Sequence, residues 1–305
     1  MPGMKRPSHI WILIHLLPVL VRAQESPLSA IRQVAYGEAK AAARYMETLG
    51  QSGVTTKAST NFDVHHYRLD LQVDPAVRYI TGAVTTSFSM NTAGSRFVLD
   101  LLDTLRVDSV TYHGSPVPFL RPGDHTVVVN LPGQLSQGAV DSFTVHYQGP
   151  PPEGSGFGSF ATDSQGGTPV MWTLSEPYGS REWWPCKNGL DDKADSIDVL
   201  ITTPIAYNAT SNGLLKKADS TATTRTCWWT HRYPIASYLV AISATNFSIS
   251  TDTVSLEGTV MPLMQHCYPG YESYYQNAFP RTKNGLRIFT RYFGPYPFIR
   301  ERYGH

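Results

Sequence analysis

The sequence predicts a mainly β protein: a curved antiparallel sheet or sandwich, preceded by a helical extension and followed by a short helical segment. From Asn61 onward apolar and polar residues alternate with period two, as in Tyr67-Arg68-Leu69-Asp70-Leu71-Gln72-Val73. That is the pattern of a strand with one buried face. Turn-forming steps punctuate the runs at Asp74-Pro75, His113-Gly114, Pro122-Gly123 and Pro132-Gly133, where proline presets φ and glycine admits positive φ. No helix-length amphipathic segment separates the strands, which argues against a βαβ arrangement.

Taken in order, residues 1–23 read as a secretory signal peptide. Lys5 and Arg6 give a positive start, Ile10 to Val21 an apolar stretch, and Val21-Arg22-Ala23 a cleavage step before Gln24. The apolar stretch is shorter than the roughly 20 residues that a spanning helix needs. No other segment is apolar enough to cross a membrane, so no transmembrane segment is expected after signal cleavage. Residues 24–58 carry Ile31, Val34, Ala35, Ala41, Ala42, Tyr45 and Met46 at helical spacing, then Gly50, Ser52 and Gly53. They are expected to form a helical extension and a linker.

A β domain is expected over 59–254. Val84, Thr86, Phe88 and Met90 alternate with polar neighbours, as do Phe143, Val145 and Tyr147. Further strands are expected at 96–102, 105–113, 126–131, 169–174, 196–204, 227–233, 237–247 and 255–264. Pro150 to Gly167 reads as a long surface loop. From 255 to 305 the pattern changes. Tyr271 to Tyr292 suggests a helix or two broken near Pro280, stopped by Phe293-Gly294-Pro295-Tyr296-Pro297.

Lys and Arg together number 25 against 24 Asp and Glu, a formal charge of +1. Without a basic stripe, nucleic acid is not an expected partner. Three cysteines, Cys186, Cys227 and Cys267, cannot make a disulfide framework, and none lies in a C-x-x-C. Cys186 reads as a small buried hydrophobe; a single bridge such as Cys186 to Cys227 stays open. His65 and His66 are adjacent on a strand, so period two sends them to opposite faces and argues against shared metal ligation. The same holds for His266-Cys267. Asp191-Asp192 with Asp195 reads as a solvated turn. No residue of the chain is expected to be catalytic or to bind metal.

The most informative stretch runs from Trp172 to Asn188: Trp-Thr-Leu-Ser-Glu-Pro-Tyr-Gly-Ser-Arg-Glu-Trp-Trp-Pro-Cys-Lys-Asn. Bulky aromatics can fix such a turn and present the carboxylate of Glu176 at a defined point, suited to a small cationic group. The stretch resembles the substrate-anchoring segment of the aminopeptidase N-like zinc metallopeptidases, which reads roughly T-Q-x-E-x-x-x-x-R-x-x-x-P-C-x-D. Thr173, Glu176, Arg181, Pro185 and Cys186 fall in register. Leu174 stands where that family usually has Gln, and Asn188 where it usually has Asp. Phe62 to Leu71, Ile235 to Ser243 and Phe293 to Phe298 are similar, in the same order, to its opening strand, a late strand of its β domain and the turn after the first catalytic-domain helix.

The resemblance implies a saddle-like antiparallel β-sandwich, followed by a truncated helical beginning of a thermolysin-like catalytic domain. It implies the N-terminal part of a secreted or periplasmic aminopeptidase whose substrates are peptides with a free amino terminus. Glu176 would be the substrate-binding residue and Arg181, Trp183 and Trp184 structural. Zinc is implied for the full-length family member and not for this chain, because no H-E-x-x-H occurs in its 305 residues. The missing catalytic domain would be its partner, and the chain alone is expected to be inactive. The alternative is a non-catalytic secreted β-sandwich module that binds a peptide or a glycan.

Overall fold

The computed structural model describes residues 56–152 and 159–305. The expected signal peptide at 1–23 and all but the last three residues of the expected extension at 24–58 lie outside the described residues. The first half of the β region holds β1 (Phe62–Asp74), β2 (Val77–Met90), β3 (Gly94–Asp100), β4 (Arg106–Tyr112), β5 (Ser115–Val117), β6 (Phe119–Leu120), β7 (Thr126–Leu135) and β8 (Val140–Gly149). The second half holds β9 (Phe160–Gln165), β10 (Thr168–Thr173), β11 (Lys193–Ala194), β12 (Ser196–Pro204), β13 (Asn208–Ser211), β14 (Leu214–Ser220), β15 (Thr224–His231), β16 (Ile235–Ala236) and β17 (Ile242–Thr245).

Eight of these strands form one large sheet in the order β14-β15-β12-β1-β2-β8-β4-β5. Its inner face packs against the smaller sheet β3-β7-β6 around four phenylalanines. Phe62, Phe88 and Phe143 from the large sheet meet Phe97 of β3 with ring centroids 4.7 to 5.3 Å apart. Period two supplies this core: Tyr67, Leu69, Leu71 and Val73 are all buried, whereas the residues between them are partly or fully exposed. The mainly β, largely antiparallel architecture matches the sequence expectation. One ladder departs from it: β1 and β12 run parallel, with His66 opposite Ser196 and Gln72 opposite Thr202. More than a hundred residues separate the two strands, so the chain has ample length for the crossover that a parallel pair requires.

Three local expectations are corrected. The loop expected over 150–167 contains a strand, β9, which pairs with β10 in the sheet β13-β17-β10-β9. The strand expected over 237–247 is broken by a 3₁₀ turn at Ser237–Leu239, where the chain leaves the short β11-β16 ladder for β17. At the start of β1 a bulge inserts His65 between Val64, opposite Phe88, and His66, opposite Ser87. The extra residue shifts the phase of the alternation. Phe62 and Val64 face inward before it and Tyr67 and Leu69 after it, so His65 and His66 share the partly exposed side. They still form no metal pair: His65 Nδ1 lies 3.2 Å from Asp195 and His66 Nδ1 2.8 Å from Ser196 Oγ.

A second, smaller core takes its residues from Val254 onward. The hairpin of β18 (Ser248–Leu256) and β19 (Thr259–Cys267) packs Val254, Leu256, Met261 and Leu263 against Phe279 and Leu286. Phe279 and Leu286 belong to α2 (Phe279–Phe293), which follows the short α1 (Glu272–Gln276). Pro280 sits in the first turn of α2, where an N–H would lack an intrahelical partner in any case. Along the same helix Ile288, Phe289, Tyr292 and Phe293 are exposed. A last strand, β20 (Tyr303–Gly304), runs parallel to β19. It is bolted to the large sheet by Glu301, which accepts the Arg232 N–H at 2.6 Å and lies 2.5 Å from His231 Nδ1.

Candidate functional site

The stretch singled out by sequence follows β10 and crosses the end of the large sheet's core. Its residues alternate in exposure: Trp172, Leu174 and Glu176 point outward, and Thr173 and Ser175 are buried. The outward set forms one row because successive side chains of an extended segment face opposite ways. The inward set is tied down. Thr173 Oγ1 accepts the Ile242 N–H at 2.9 Å, and the Leu174 N–H donates to Ser159 O at 3.3 Å. Ser175 Oγ accepts Trp183 Nε1–H at 2.8 Å, and its carbonyl accepts the Gly179 N–H at 2.8 Å. Glu176 is therefore an exposed carboxylate inside the turn closed by the Ser175–Gly179 hydrogen bond, and the Glu176–Pro177 peptide is cis. Gly179 is required sterically: a Cβ there would lie 1.9 Å from Ser159 Oγ.

Behind this row a 3₁₀ turn at Ser180–Glu182 leads to Trp183 and Trp184, both fully buried. Trp184 packs edge-on against Tyr67, with centroids 4.9 Å apart. The Trp183 carbonyl accepts the Tyr147 hydroxyl at 2.7 Å. Tyr147 reaches it by lying across Gly82, where a Cβ would come within 2.5 Å of the tyrosine ring. Lys187 is buried too. Its ammonium donates to Phe62 O at 2.9 Å and to the Asp192 carboxylate, and stands 4.8 Å from the Phe62 ring centroid. Asp192 is thus a buried counter-charge, which corrects the expectation of a solvated turn.

One residue that sequence reasoning passed over organises the segment. Asp100, at the end of β3, is fully buried. Its carboxylate accepts Thr56 Oγ1–H at 2.6 Å, the Lys57 N–H at 2.8 Å and the Asn188 N–H at 3.2 Å. Its backbone pairs in both directions with Cys186, at 2.8 and 3.1 Å. A buried carboxylate is tolerable only when its oxygens are occupied in this way. The signal was available: Asp100 ends the run Phe97-Val98-Leu99, and an acid continuing a wholly apolar run is out of place unless it is bonded. Burial, with Asp100 beside it, raises the Cys186 thiol well above its ordinary range, so it packs as a neutral thiol. All three cysteines are buried and free, and no Cys186–Cys227 bridge exists.

Arg181, Trp183 and Trp184 therefore act as buttress. The buried Arg181 contributes its backbone carbonyl to the Leu102 N–H at 2.8 Å. Asn188 has a structural reason to be an amide. Its Nδ2 donates to Tyr178 O at 2.7 Å, and its Oδ1 lies 3.4 Å from the Arg181 nitrogen. An amide gives and accepts at once, whereas an ionised carboxylate in its place could only accept. Leu174, where the resemblance leads one to look for Gln, is exposed and adds apolar surface next to Glu176. Among the described residues no group of three or more His, Cys, Asp and Glu could hold a metal ion. No described helix is long and apolar enough to cross a membrane.

Comparison with known proteins places this geometry. Residues 63–239 match the family model described as the peptidase M1 N-terminal domain. The fold is similar to a two-domain M1 zinc metallopeptidase solved as a point mutant bound to L-tryptophan. That match has a TM-score of 0.71 and 27% identity, covering 81% of this chain and 57% of that one. It is also similar to an M1 zinc metallopeptidase from Deinococcus radiodurans, with TM-score 0.68, 27% identity and coverage of 81% and 56%. A mutant of the Deinococcus radiodurans enzyme bound to a Tyr-Ser-Ala substrate matches at TM-score 0.68 and 26% identity, with the same coverage. The chain spans little more than half the length of these structures. No curated protein matches it.

Replacing Asn188 by Asp tests the buttress. The introduced carboxylate would face the Tyr178 carbonyl near Asp100, at a cost of roughly 2–3 kcal/mol at neutral pH. Protonation restores a donor, so the folded-state pKa of the new group lies above its unfolded value. The loss should therefore be present at neutral pH, begin to fade as pH falls through the raised folded-state pKa, and be gone by about 4, the unfolded value. Urea denaturation of both proteins across pH 3 to 8 measures it; an unchanged midpoint at pH 7 contradicts the assignment.

Proposed function

This chain belongs to the peptidase M1 N-terminal domain family, and from that premise we propose that it is the N-terminal part of a zinc aminopeptidase acting on peptides with a free amino terminus. The observation that carries the proposal is the display of Glu176: an exposed carboxylate in the turn closed by the Ser175–Gly179 hydrogen bond, directly after the locked Thr173 and Ser175, on a buried aromatic frame. Such a group receives an α-ammonium through a charge-assisted hydrogen bond and needs little reorganisation to do so. An N-acylated peptide offers no charge there. The apolar row of Trp172 and Leu174 beside the carboxylate limits access of water on one side.

The proposed division is an N-terminal β domain over 59–254 and the beginning of a catalytic domain over 255–305, supported by the second core that starts at Val254. The exposed apolar face of α2 supports a further packing partner, which we take to be the remainder of that domain. Zinc belongs in this proposal to the full-length protein only. The described residues offer no cluster that fits the ion, and no H-E-x-x-H is present, so no step is assigned to it here. The 305-residue chain is accordingly expected to cleave nothing by itself. We also infer export to a secreted or periplasmic location from the leader-like residues 1–23. N-terminal sequencing of the exported chain should read from Gln24; a retained Met1 in the mature protein contradicts this.

The substrate proposal is tested by titrating the 305-residue chain with a tripeptide amide and with its N-acetyl counterpart. The free-amine peptide should bind and the acetylated one should not. Glu176→Gln should weaken the free-amine peptide by roughly 10- to 100-fold, the range for a hydrogen bond to a charged group. Equal binding of the two peptides, unaffected by the substitution, would instead favour a general β-sandwich binding module.

A further inference from the structure

We propose that the cleft between β17 and β20 is a binding site for a small oxyanion, a carboxylate or a phosphate, read by Arg302. The cleft measures about 350 Å³ and is lined by Trp172, His266, Arg302, Gly304 and the ends of β13 and β17. Arg302 lies on its wall as a half-buried cation. Burial lowers its guanidinium to about 10, partly offset by Glu301 and Tyr296. Buried charges are ordinarily paired, yet no carboxylate lies within ion-pair distance of Arg302 among the described residues. The neighbouring Glu301 is already committed to His231 and the Arg232 N–H.

The guanidinium's own bonds show which edge is available. Nε–H donates to Gly213 O at 2.5 Å, and Nη2 donates to Ser211 O at 2.8 Å and lies 3.4 Å from Thr210 Oγ1. Trp229 lies against the guanidinium, its ring centroid 4.7 Å from Cζ. Three of the five N–H groups and one face are thus fixed. Nη1 makes no hydrogen bond among the described residues, and it lies over Gly304. A Cβ at that position would come within 2.3 Å of Nη1. The glycine keeps that edge clear.

His266 lines the cleft without adding charge. Burial, with the nearby Arg302, lowers its imidazole to about 4, so it is neutral at pH 7. Its Nε2 is shielded from solvent and finds no partner among the described residues. None of the cleft's lining side chains is acidic. A fixed guanidinium with two unused N–H groups and no acidic side chain opposite it recognises an oxyanion better than a neutral or cationic ligand. Trp172, which lines this cleft, also begins the outward row that ends at Glu176.

The test is a titration of the 305-residue chain with acetate and, separately, with inorganic phosphate. Ionic strength is held constant with chloride, and the Arg302 Nε–H resonance is followed. A saturable shift is expected with at least one of them. Saturation by acetate alone identifies a carboxylate site, and saturation by phosphate alone a phosphate site. Arg302→Gln removes the cation but also the contacts to Trp229, Gly213 and Ser211, so it can unfold this region. Gly304→Ala is the decisive variant, because it crowds Nη1 without removing charge. It should bind roughly tenfold more weakly while its circular dichroism is unchanged. The absence of a saturable shift with either anion, or undiminished affinity in a folded Gly304→Ala protein, overturns the proposal.

Discussion

The structure around the candidate site depends on one buried carboxylate. Asp100 ends a strand of the small sheet, takes three donors from two distant parts of the chain and pairs its backbone with Cys186. An ionised group without water has to gather donors from wherever the fold can supply them. Here the donors come from the segment entering β1 and from the segment leaving the tryptophan pair. Satisfying Asp100 thus joins the first strands of the domain to the stretch that displays Glu176, across more than eighty residues of sequence.

From that anchor the constraint travels outward through packing. Asn188 holds the turn at Tyr178, Trp183 holds Ser175, and Ser175 flanks Glu176. Aromatic rings serve well in this role because they bury large areas with few rotatable bonds. Each link leaves an exposed side chain outside and a structural one inside, which is what period-two geometry allows over a short extended segment. The same logic explains why the stretch tolerates Leu174 and Asn188. The first lies on the outer row, where polarity is not dictated by the core, and the second completes an internal exchange of hydrogen bonds that uses both ends of its amide.

Much of this was legible in the sequence. The alternating runs of β1, β2 and β8 required strands with one buried face, and the two prolines after Phe293 required a helix end. The Trp172–Asn188 stretch, with its fixed aromatics, pointed to Glu176 as the displayed group. What was hidden arose from long-range pairing. A parallel partnership between β1 and β12 has no local signature, because the pattern of each strand is the same whichever neighbour it takes. The bulge at His65 broke an argument that rested on strict alternation. Asp192 resembled a solvated turn until Lys187 was seen to turn inward and require a counter-charge. Arg302 and Gly304 lie in a short segment of mixed composition, and only the approach of β20 to β19 brings them beside His266.

Amide hydrogen exchange across the Trp183–Asn188 segment is the most direct test that a buried frame holds Glu176 in place. The amides of Trp183, Trp184, Cys186 and Asn188, bonded to Ser180 and Asp100, should exchange as slowly as those of the β1–β2 ladder, because opening them requires loss of the core. Exchange at the rate of an exposed turn, with the β1–β2 ladder still protected, would contradict a rigid frame and leave Glu176 as an ordinary surface carboxylate.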